Sequence, residues 1–155
     1  MDIKKKDEMQ LIIGHSGFIK TTEDLYEAMV DSVPGVKFGI GFVEASGPKL
    51  VRGEGNDKEL KKLAEENALR IGAGHTFVIL FKGAYPINVV KNIRDIVETA
   101  NVYCATANST QVVVGATAMG RSVLGVVDGG AARGIEKEKD RRYRRKFLRD
   151  LGYKL

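Results

Sequence analysis

Apolar residues recur at helical spacing in two segments of the first half of the chain, TTEDLYEAMVDSV and NDKELKKLAEENALRI. Intervals of three and four residues place such side chains on one face of a helix, so both segments are predicted to be amphipathic helices. Thr21 and Thr22 are suited to cap the first helix, and Asn56 with Glu59 resembles a capping box for the second. Gly72 is predicted to be the C-terminal cap of the second helix.

The second half begins with a third helix, in which Pro86 occupies the first turn and the apolar pattern continues to Asn101. The remaining apolar runs predict strands: QLII, KFGIGFVEA, LVRGEG, HTFVILFK, VYCATA, QVVVGA and RSVLGVVDG. The second and third runs form a hairpin through SGPK, and the last two pair across Thr117–Gly120. Strands thus partly alternate with helices and partly lie in hairpins. This order predicts a single α/β domain, residues 1–155, with a mixed β-sheet flanked by α-helices.

The composition favours a soluble folded protein of the cytoplasm. Of the 155 residues 43% are hydrophobic and 29% charged, which is typical of globular domains. No apolar run approaches the roughly 18 residues that span a bilayer, and MDIKKKDEMQ is not followed by a signal-type apolar segment. The single cysteine, Cys104, cannot form an internal disulfide and is interpreted as a small buried residue. We therefore expect neither export nor membrane association.

The positive charge of the chain is concentrated near its end. Glu136 to Arg149 contains eight basic and three acidic residues, so this stretch accounts for the whole formal charge of +5. Tyr143, Phe147, Leu148 and Leu151 recur at helical spacing within and just after it. The sequence therefore predicts a C-terminal basic helix whose apolar side packs on the core. An arm that binds nucleic acid is the less favoured alternative.

Polar residues that can do chemistry cluster where strands end, which is where folds commonly place binding sites. They are Glu44, Arg52, Glu54, Asn56, Asp57, His75, Thr106, Asn108, Arg121 and Asp128. The glycine-rich turns GEGND and VVDGG lie close to arginines and could cradle phosphate, although the sequence alone favours a turn with a helix cap for the first and a strand end for the second. Neither GxxxxGK[ST] nor GxGxxG is present.

Only two histidines occur. His75 opens an apolar strand after a glycine-flanked bend, whereas His15, in GHSGF, is interpreted as a loop residue. Because no histidine or cysteine has metal-ligand spacing, zinc is not expected.

Five blocks in order carry a resemblance to a known family: GFVEASGPKLVRGEGND, IGAGHTFVI, CATAN, GRSVLGVVDG and RRKFLRDLGYK. From about Met9 onward the chain resembles the small adenosine-specific kinases of archaea and bacteria. The resemblance implies an α/β subunit that assembles as a homotrimer or hexamer, binds adenosine nucleotides such as AMP, and has a histidine that can carry phosphate. By motif, that histidine is His75. The chain departs from the family pattern at Ser109, Ala116 and Ser122, where proline, an acidic residue and glycine are common.

The leading hypothesis is an adenosine-nucleotide phosphotransferase that uses ATP or another phosphoryl donor with Mg²⁺. His75 and Asp128 are the predicted catalytic residues, and Glu44, Asp57 or Asp128 could bind the metal ion. Nucleotide and phosphate contacts are predicted for Glu44, Arg52, Asn56, Asp57, Gly74, Thr106, Asn108 and Arg121. The alternative is a non-catalytic module that binds or senses adenine nucleotides, in which His75 only donates a hydrogen bond to phosphate.

Overall fold

The computed structural model describes residues 1–155. A five-stranded sheet forms the middle layer, with two helices on one face and a helix plus a two-stranded hairpin on the other. The elements are β1 Gln10–Ser16, α1 Thr21–Ser32, β2 Lys37–Val43, β3 Val51–Gly55, α2 Lys58–Ile71, β4 Thr76–Lys82, α3 Pro86–Asp95, β5 Thr99–Thr106, β6 Thr110–Ala116, β7 Arg121–Asp128 and α4 Glu138–Asp150. No helix is both long and apolar enough to cross a bilayer.

The five strands lie in the order β3-β2-β4-β1-β5, and every neighbouring pair is antiparallel. The predicted α/β domain with flanking helices is confirmed, but the sheet contains no parallel neighbours and is not mixed. Each helical crossover, from β1 to β2, from β3 to β4 and from β4 to β5, joins two strands of the same direction. One antiparallel strand lies between the members of each such pair, so parallel strands never become neighbours.

Strand β4 is the centre of the core. Phe77, Ile79 and Phe81 point to the face covered by α1 and α3, and Val78 and Leu80 point to the face covered by α2. All five side chains are fully buried. Because both faces of β4 are packed, its first residue and the residue before it are held firmly, and that preceding residue is His75.

Strands β6 and β7 form the predicted hairpin, closed where Thr117 N donates to Gly120 O at 2.8 Å. The hairpin is a separate two-stranded sheet that packs Val112 and Val123 on the α2 side of the core. Cys104 lies in the same cluster, as expected for a small buried residue. Burial and the nearby Asp128 charge raise the pKa of the Cys104 thiol to about 11, so the thiolate is disfavoured.

Two of the predicted helix caps are wrong, whereas Gly72 is confirmed in the left-handed conformation with φ 59°. Helix α1 follows Lys20 without a side-chain cap, and Thr21 Oγ1 instead donates to Phe18 O at 2.6 Å. For α2 the cap is Asp57, whose Oδ1 accepts from Leu60 N at 3.0 Å. Asn56 is occupied by the backbone of the preceding hairpin and cannot also cap the helix.

The prediction that the third helix continues to Asn101 is also wrong. Helix α3 ends at Asp95, and Thr99 already pairs with Ser16 of β1. The free edge of β1 offers main-chain hydrogen bonds, so the segment that continues the helical pattern joins the sheet as β5. Val97, an apolar residue that the sequence pattern includes in the helix, is 96% exposed in the connection.

The C-terminal basic helix is confirmed as α4, but its predicted packing on the core is wrong. None of its residues is buried, and Tyr143, Phe147 and Leu151 are exposed. Residues 129–137 form no helix or strand, so nothing holds α4 against the sheet. Instead, ion pairs within this terminal segment support the helix, including Arg144 with Glu136 and Lys146 with Asp150.

Candidate functional site

His75 directly precedes β4 and has a left-handed backbone with φ 64°. Its N–H donates to Val43 O at 2.7 Å, and its carbonyl accepts from Ser16 N at 2.9 Å. The backbone of His75 is therefore fastened to β2 on one side and to the end of β1 on the other. Residues other than glycine adopt this conformation only where their surroundings impose it, and such positions cluster at functional sites.

The ring of His75 lies between two other rings. The Phe42 ring is 6.1 Å away between centroids and nearly parallel, and the His15 ring is 5.8 Å away. His15 belongs to β1, so its interpretation as a loop residue is wrong. Burial, together with the neighbouring His75, lowers the pKa of His15 below the ordinary histidine value, which favours a neutral ring.

Sequence reasoning missed His15 as a member of this site. The relevant signal is the pairing of His15 with Thr76 in the β1–β4 ladder, which places the two histidines side by side. That pairing is fixed by contacts between distant segments, and local spacing does not reveal it.

Glu44 and Arg52 form an ion pair at the end of the β2–β3 hairpin where the loop connects the two strands. The hydrogen bond from the Arg52 guanidinium, supported by Leu50 N–H and the positive charge, holds the pKa of Glu44 below its usual value. Both residues line a cavity of about 330 Å³ together with His75. The other lining residues are Gly17, Phe18, Ile19, Phe42, Ala45 and Ser46.

A second cavity of about 630 Å³ shares Glu44 and Ala45 with the first and contains Gly74 and Arg121. A Cβ on Gly74 would lie 2.9 Å from the Cβ of Ala45, so only glycine fits without displacement. Arg121 Nη1 donates to Arg70 O at 3.1 Å, which places the guanidinium beside the C-terminal end of α2. The structure thus brings five predicted residues around two adjoining cavities: Glu44, Arg52, Gly74, His75 and Arg121.

Thr106, Asn108 and Asp128 form a separate cluster. Thr106 Oγ1 donates to Asp128 Oδ1 at 2.7 Å, and Asn108 Nδ2 donates to the same oxygen at 3.0 Å. Thr106 pairs with Leu11, four residues from His15 along β1, which is about 13 Å of strand. Asp128 and His75 therefore lie toward opposite ends of the sheet. Asn108 borders another polar cavity of about 660 Å³.

Asn56 and Asp57 are likewise not brought to His75. Asn56 Oδ1 accepts from Phe38 N at 2.9 Å and its Nδ2 donates to Val36 O at 2.8 Å. Asp57 caps α2. Both side chains are engaged by the backbone around them.

The carboxylates suit a metal ion only if a ligand supplies most of its coordination. No group of three or more histidine, cysteine, aspartate or glutamate side chains is arranged to hold a metal ion. Mg²⁺ commonly takes one or two carboxylates and completes its shell with phosphates and water. Of the three predicted metal ligands, Glu44 is the one that borders the cavities beside His75. A single carboxylate there fits a metal ion carried by substrate phosphates.

These features define a small α/β protein with an antiparallel sheet and a site of two histidines, two arginines and one glutamate at one end. The chain belongs to the adenosine specific kinase family, whose model matches residues 1–154. Membership confirms the resemblance seen in the sequence and supports an adenosine-related kinase function.

The chain is also similar to a solved structure, the crystal structure of the PH1918 protein from Pyrococcus horikoshii OT3. The two share 47% sequence identity and superpose with a TM-score of 0.97, over 100% of this chain and 96% of that one. None of the curated proteins matches.

Proposed function

We propose that the protein is an adenosine-nucleotide phosphotransferase in which His75 accepts a phosphoryl group from ATP or another phosphoryl donor. The observation that carries this proposal is the placement of His75, held in a left-handed backbone beside a cavity that also contains Arg52 and Glu44. Family membership supplies the adenosine part of the proposal.

In the proposed reaction a neutral His75 ring attacks the terminal phosphorus of the donor with one ring nitrogen. A phosphorus–nitrogen bond forms, the bond from phosphorus to the bridging oxygen breaks, and ADP leaves when ATP is the donor. The proton on the other ring nitrogen is then released, leaving a neutral imidazole that carries phosphate. Arg52 and Arg121 are positioned for phosphate oxygens, since guanidinium groups bind them through paired hydrogen bonds. Mg²⁺ held by Glu44 and the phosphates would supply further charge neutralisation.

The Thr106–Asn108–Asp128 cluster is proposed to contact nucleotide rather than the phosphoryl group on His75 of the same chain. The strand distance of about 13 Å prevents direct contact. Asn108 borders a polar cavity, and the hydroxyl, amide and carboxylate groups of the cluster suit hydroxyl-bearing ligands. The catalytic role predicted for Asp128 therefore requires a second copy that brings the cluster to His75. Assembly as a homotrimer or hexamer is part of the proposal.

The exposed outer side of the β6–β7 hairpin supports assembly. Val113, Leu124 and Val127 are about half or more exposed there, and Met119 at its bend is almost fully exposed. Apolar side chains grouped on one face commonly mark contacts with another protein.

Incubation with ATP and Mg²⁺ tests the proposal by mass spectrometry. The protein should gain one phosphate, about 80 Da, in a form labile to acid and stable to base, as expected for phosphohistidine. His75→Asn should abolish the gain. His15→Asn is a matched control because it makes the same change on the neighbouring ring and should leave labelling intact.

Two outcomes contradict the proposal. Undiminished labelling of the His75→Asn protein places the acceptor elsewhere, and loss of labelling only in His15→Asn assigns it to His15. Tight AMP binding with no labelling of the wild type instead supports the non-catalytic sensing module.

A further inference from the structure

Helix α4 carries an unpartnered apolar face. We call Tyr143, Phe147 and Leu151 the aromatic stripe; their side chains follow one another at four-residue intervals and are 69%, 48% and 51% exposed. The rings of Tyr143 and Phe147 stack at 6.0 Å with planes 8° apart. An isolated helix of 13 residues is marginally stable in water, so the stripe needs a surface to cover it.

Positive charge borders the stripe. With 3.6 residues per turn, Lys139 and Lys146 lie along one side of it and Arg144 along the other. Helix α4 contains seven basic and three acidic residues. Lys139 forms no ion pair, and Lys146 is paired only with Asp150 of the next turn, an exposed contact that adds little to stability. The surface that covers the stripe should therefore be apolar at its centre and acidic at its edges.

The groove between α1 and α3 has this character. It encloses about 410 Å³ and is bordered by four carboxylates, Asp24, Glu27, Asp31 and Asp95. Ala28, Ile96 and Val97 contribute apolar surface to the same groove. Of these four carboxylates only Asp24 forms an ion pair with Lys20, which also pairs with Glu98, and α1 itself contains no basic residue. The other three carboxylates form no ion pair.

We propose that α4 of one copy of the protein docks in the α1–α3 groove of a second copy. The aromatic stripe covers the apolar floor, and the lysines beside the stripe approach Glu27 and Asp31. The hairpin that precedes α4 packs on the opposite face of the sheet from α1 and α3, and no residue of α4 lines the groove of its own chain. Because the groove and the helix are different surfaces, the contact is head-to-tail, and its repetition closes a ring such as a trimer.

The proposal is tested with two charge-reversal variants. The groove variant carries Glu27→Lys and Asp31→Lys, and the helix variant carries Lys139→Glu and Lys146→Glu. Asp31 lies in the last turn of α1 and Lys139 in the first turn of α4, where the new charges suit the helix dipole. Lys58→Glu with Lys62→Glu, on exposed positions of α2, is the matched control.

Sedimentation at physiological salt gives the expected pattern. The wild type and the α2 control assemble, and each reversal variant alone has a dissociation constant raised at least about tenfold by like-charge contacts. A chain that carries all four substitutions assembles to within about threefold of the wild type, because every helix then meets a groove of opposite charge. Tyr143→Ala with Phe147→Ala weakens assembly because it removes the apolar side chains that cover the groove.

Several results overturn the docking. The docking is wrong if the wild type is monomeric at every concentration or if neither reversal changes assembly. It is also wrong if the chain with all four substitutions fails to reassemble. Salt-sensitive RNA binding that is lost only in the helix variant, with assembly unaffected, assigns α4 to nucleic acid instead. Destabilisation of both variants as monomers indicates docking within one chain. Phosphate labelling of His75 is measured separately, so failure of the docking is distinguishable from failure of the proposed function.

Discussion

At the scale of single residues, the site depends on how the backbone of His75 is held. Its N–H and carbonyl are bonded to Val43 and Ser16, the ends of two strands, while β4 anchors the residue that follows. The left-handed conformation is tolerated by histidine more readily than by most side chains. The ring is thereby fixed between Phe42 and His15 before any ligand binds.

The first prediction concerns His15, whose pKa is expected below the usual value of about 6.5 because the ring is buried and faces His75. His75→Asn removes the second of these causes and should raise the pKa of His15 part of the way back. NMR titration of the His15 imidazole signals measures this pKa in the wild type and in His75→Asn. An unchanged pKa in the variant would show that burial alone depresses it.

The same shift has a consequence for stability. The folded pKa is lowered, so the unfolded chain binds a proton to His15 more readily than the folded one does. The contribution of His15 is therefore fully present above the unfolded pKa of about 6.5 and is lost as the pH falls below it through the lower folded pKa. Urea unfolding of the wild type and His15→Asn should show a difference that changes with pH in this range. Parallel pH profiles for the two proteins would contradict the linkage.

The second prediction concerns Gly39, which lets α2 approach β2. A Cβ at this position would lie 2.0 Å from Lys61 N, a backbone atom that cannot move aside. Gly39→Ala should therefore cost about 3 kcal/mol of unfolding free energy, measured by urea denaturation. Gly125→Ala is the control, because a Cβ there meets nothing within 4 Å and should change stability little. Equal effects of the two substitutions would disprove the packing argument.

At the scale of elements, the ends of helices depend on which neighbouring polar group is free. Asn56 and Asp57 are adjacent and both are good caps, but Asn56 bonds with Val36 and Phe38 of the preceding hairpin. Asp57 is left to cap α2. The β-hairpin therefore selects the first residue of the helix that follows it.

The third prediction concerns the role of Asp57 as the cap of α2. Asp57→Ala should lower the unfolding free energy by about 1 kcal/mol, because Leu60 N–H loses its acceptor. Asp57→Asn retains a capping oxygen and should cost less than about 0.5 kcal/mol. Thermal unfolding of both variants at the same pH provides the comparison. A large loss in Asp57→Asn would indicate that the charge has a further role.

At the scale of the whole molecule, the strand order brings the residues of the candidate site together. Three crossovers each place an antiparallel strand between two strands of the same direction, and β4 thereby comes to lie between β2 and β1. The His75 end of β4 is then adjacent to the Glu44 end of β2 and the His15 end of β1. The Asp128 cluster is left at the opposite end.

The fourth prediction tests ligand class. AMP, ADP or adenosine should bind the purified protein at least about tenfold more tightly than guanine or pyrimidine nucleotides, a difference of roughly 1.4 kcal/mol. Isothermal calorimetry measures each affinity, and Arg52→Ala with Arg121→Ala should weaken AMP more than adenosine, which lacks phosphate. Equal affinity for GMP and AMP would remove the adenine preference and leave a general phosphate site.

The sequence by itself determined the features that depend on neighbours along the chain. Period-two and helical patterns gave the strands, the first two helices, the hairpins and the αL position of Gly72, because each follows from local burial or local backbone geometry. Family membership also follows from the sequence alone, since motifs are local strings.

Only the tertiary structure decided the features that depend on competition between distant groups. Residues 99–101, predicted to belong to the third helix, pair with the edge of β1 instead. Asn56, predicted to cap a helix, forms hydrogen bonds with the backbone of the β2–β3 hairpin. Strand order brought His15 to His75 and separated both from Asp128, although all three stand at ends of elements. Helix α4 has the apolar pattern of a packed helix, yet it lies exposed. Such a pattern shows that one face of a helix needs a partner, but it does not show which surface provides that partner.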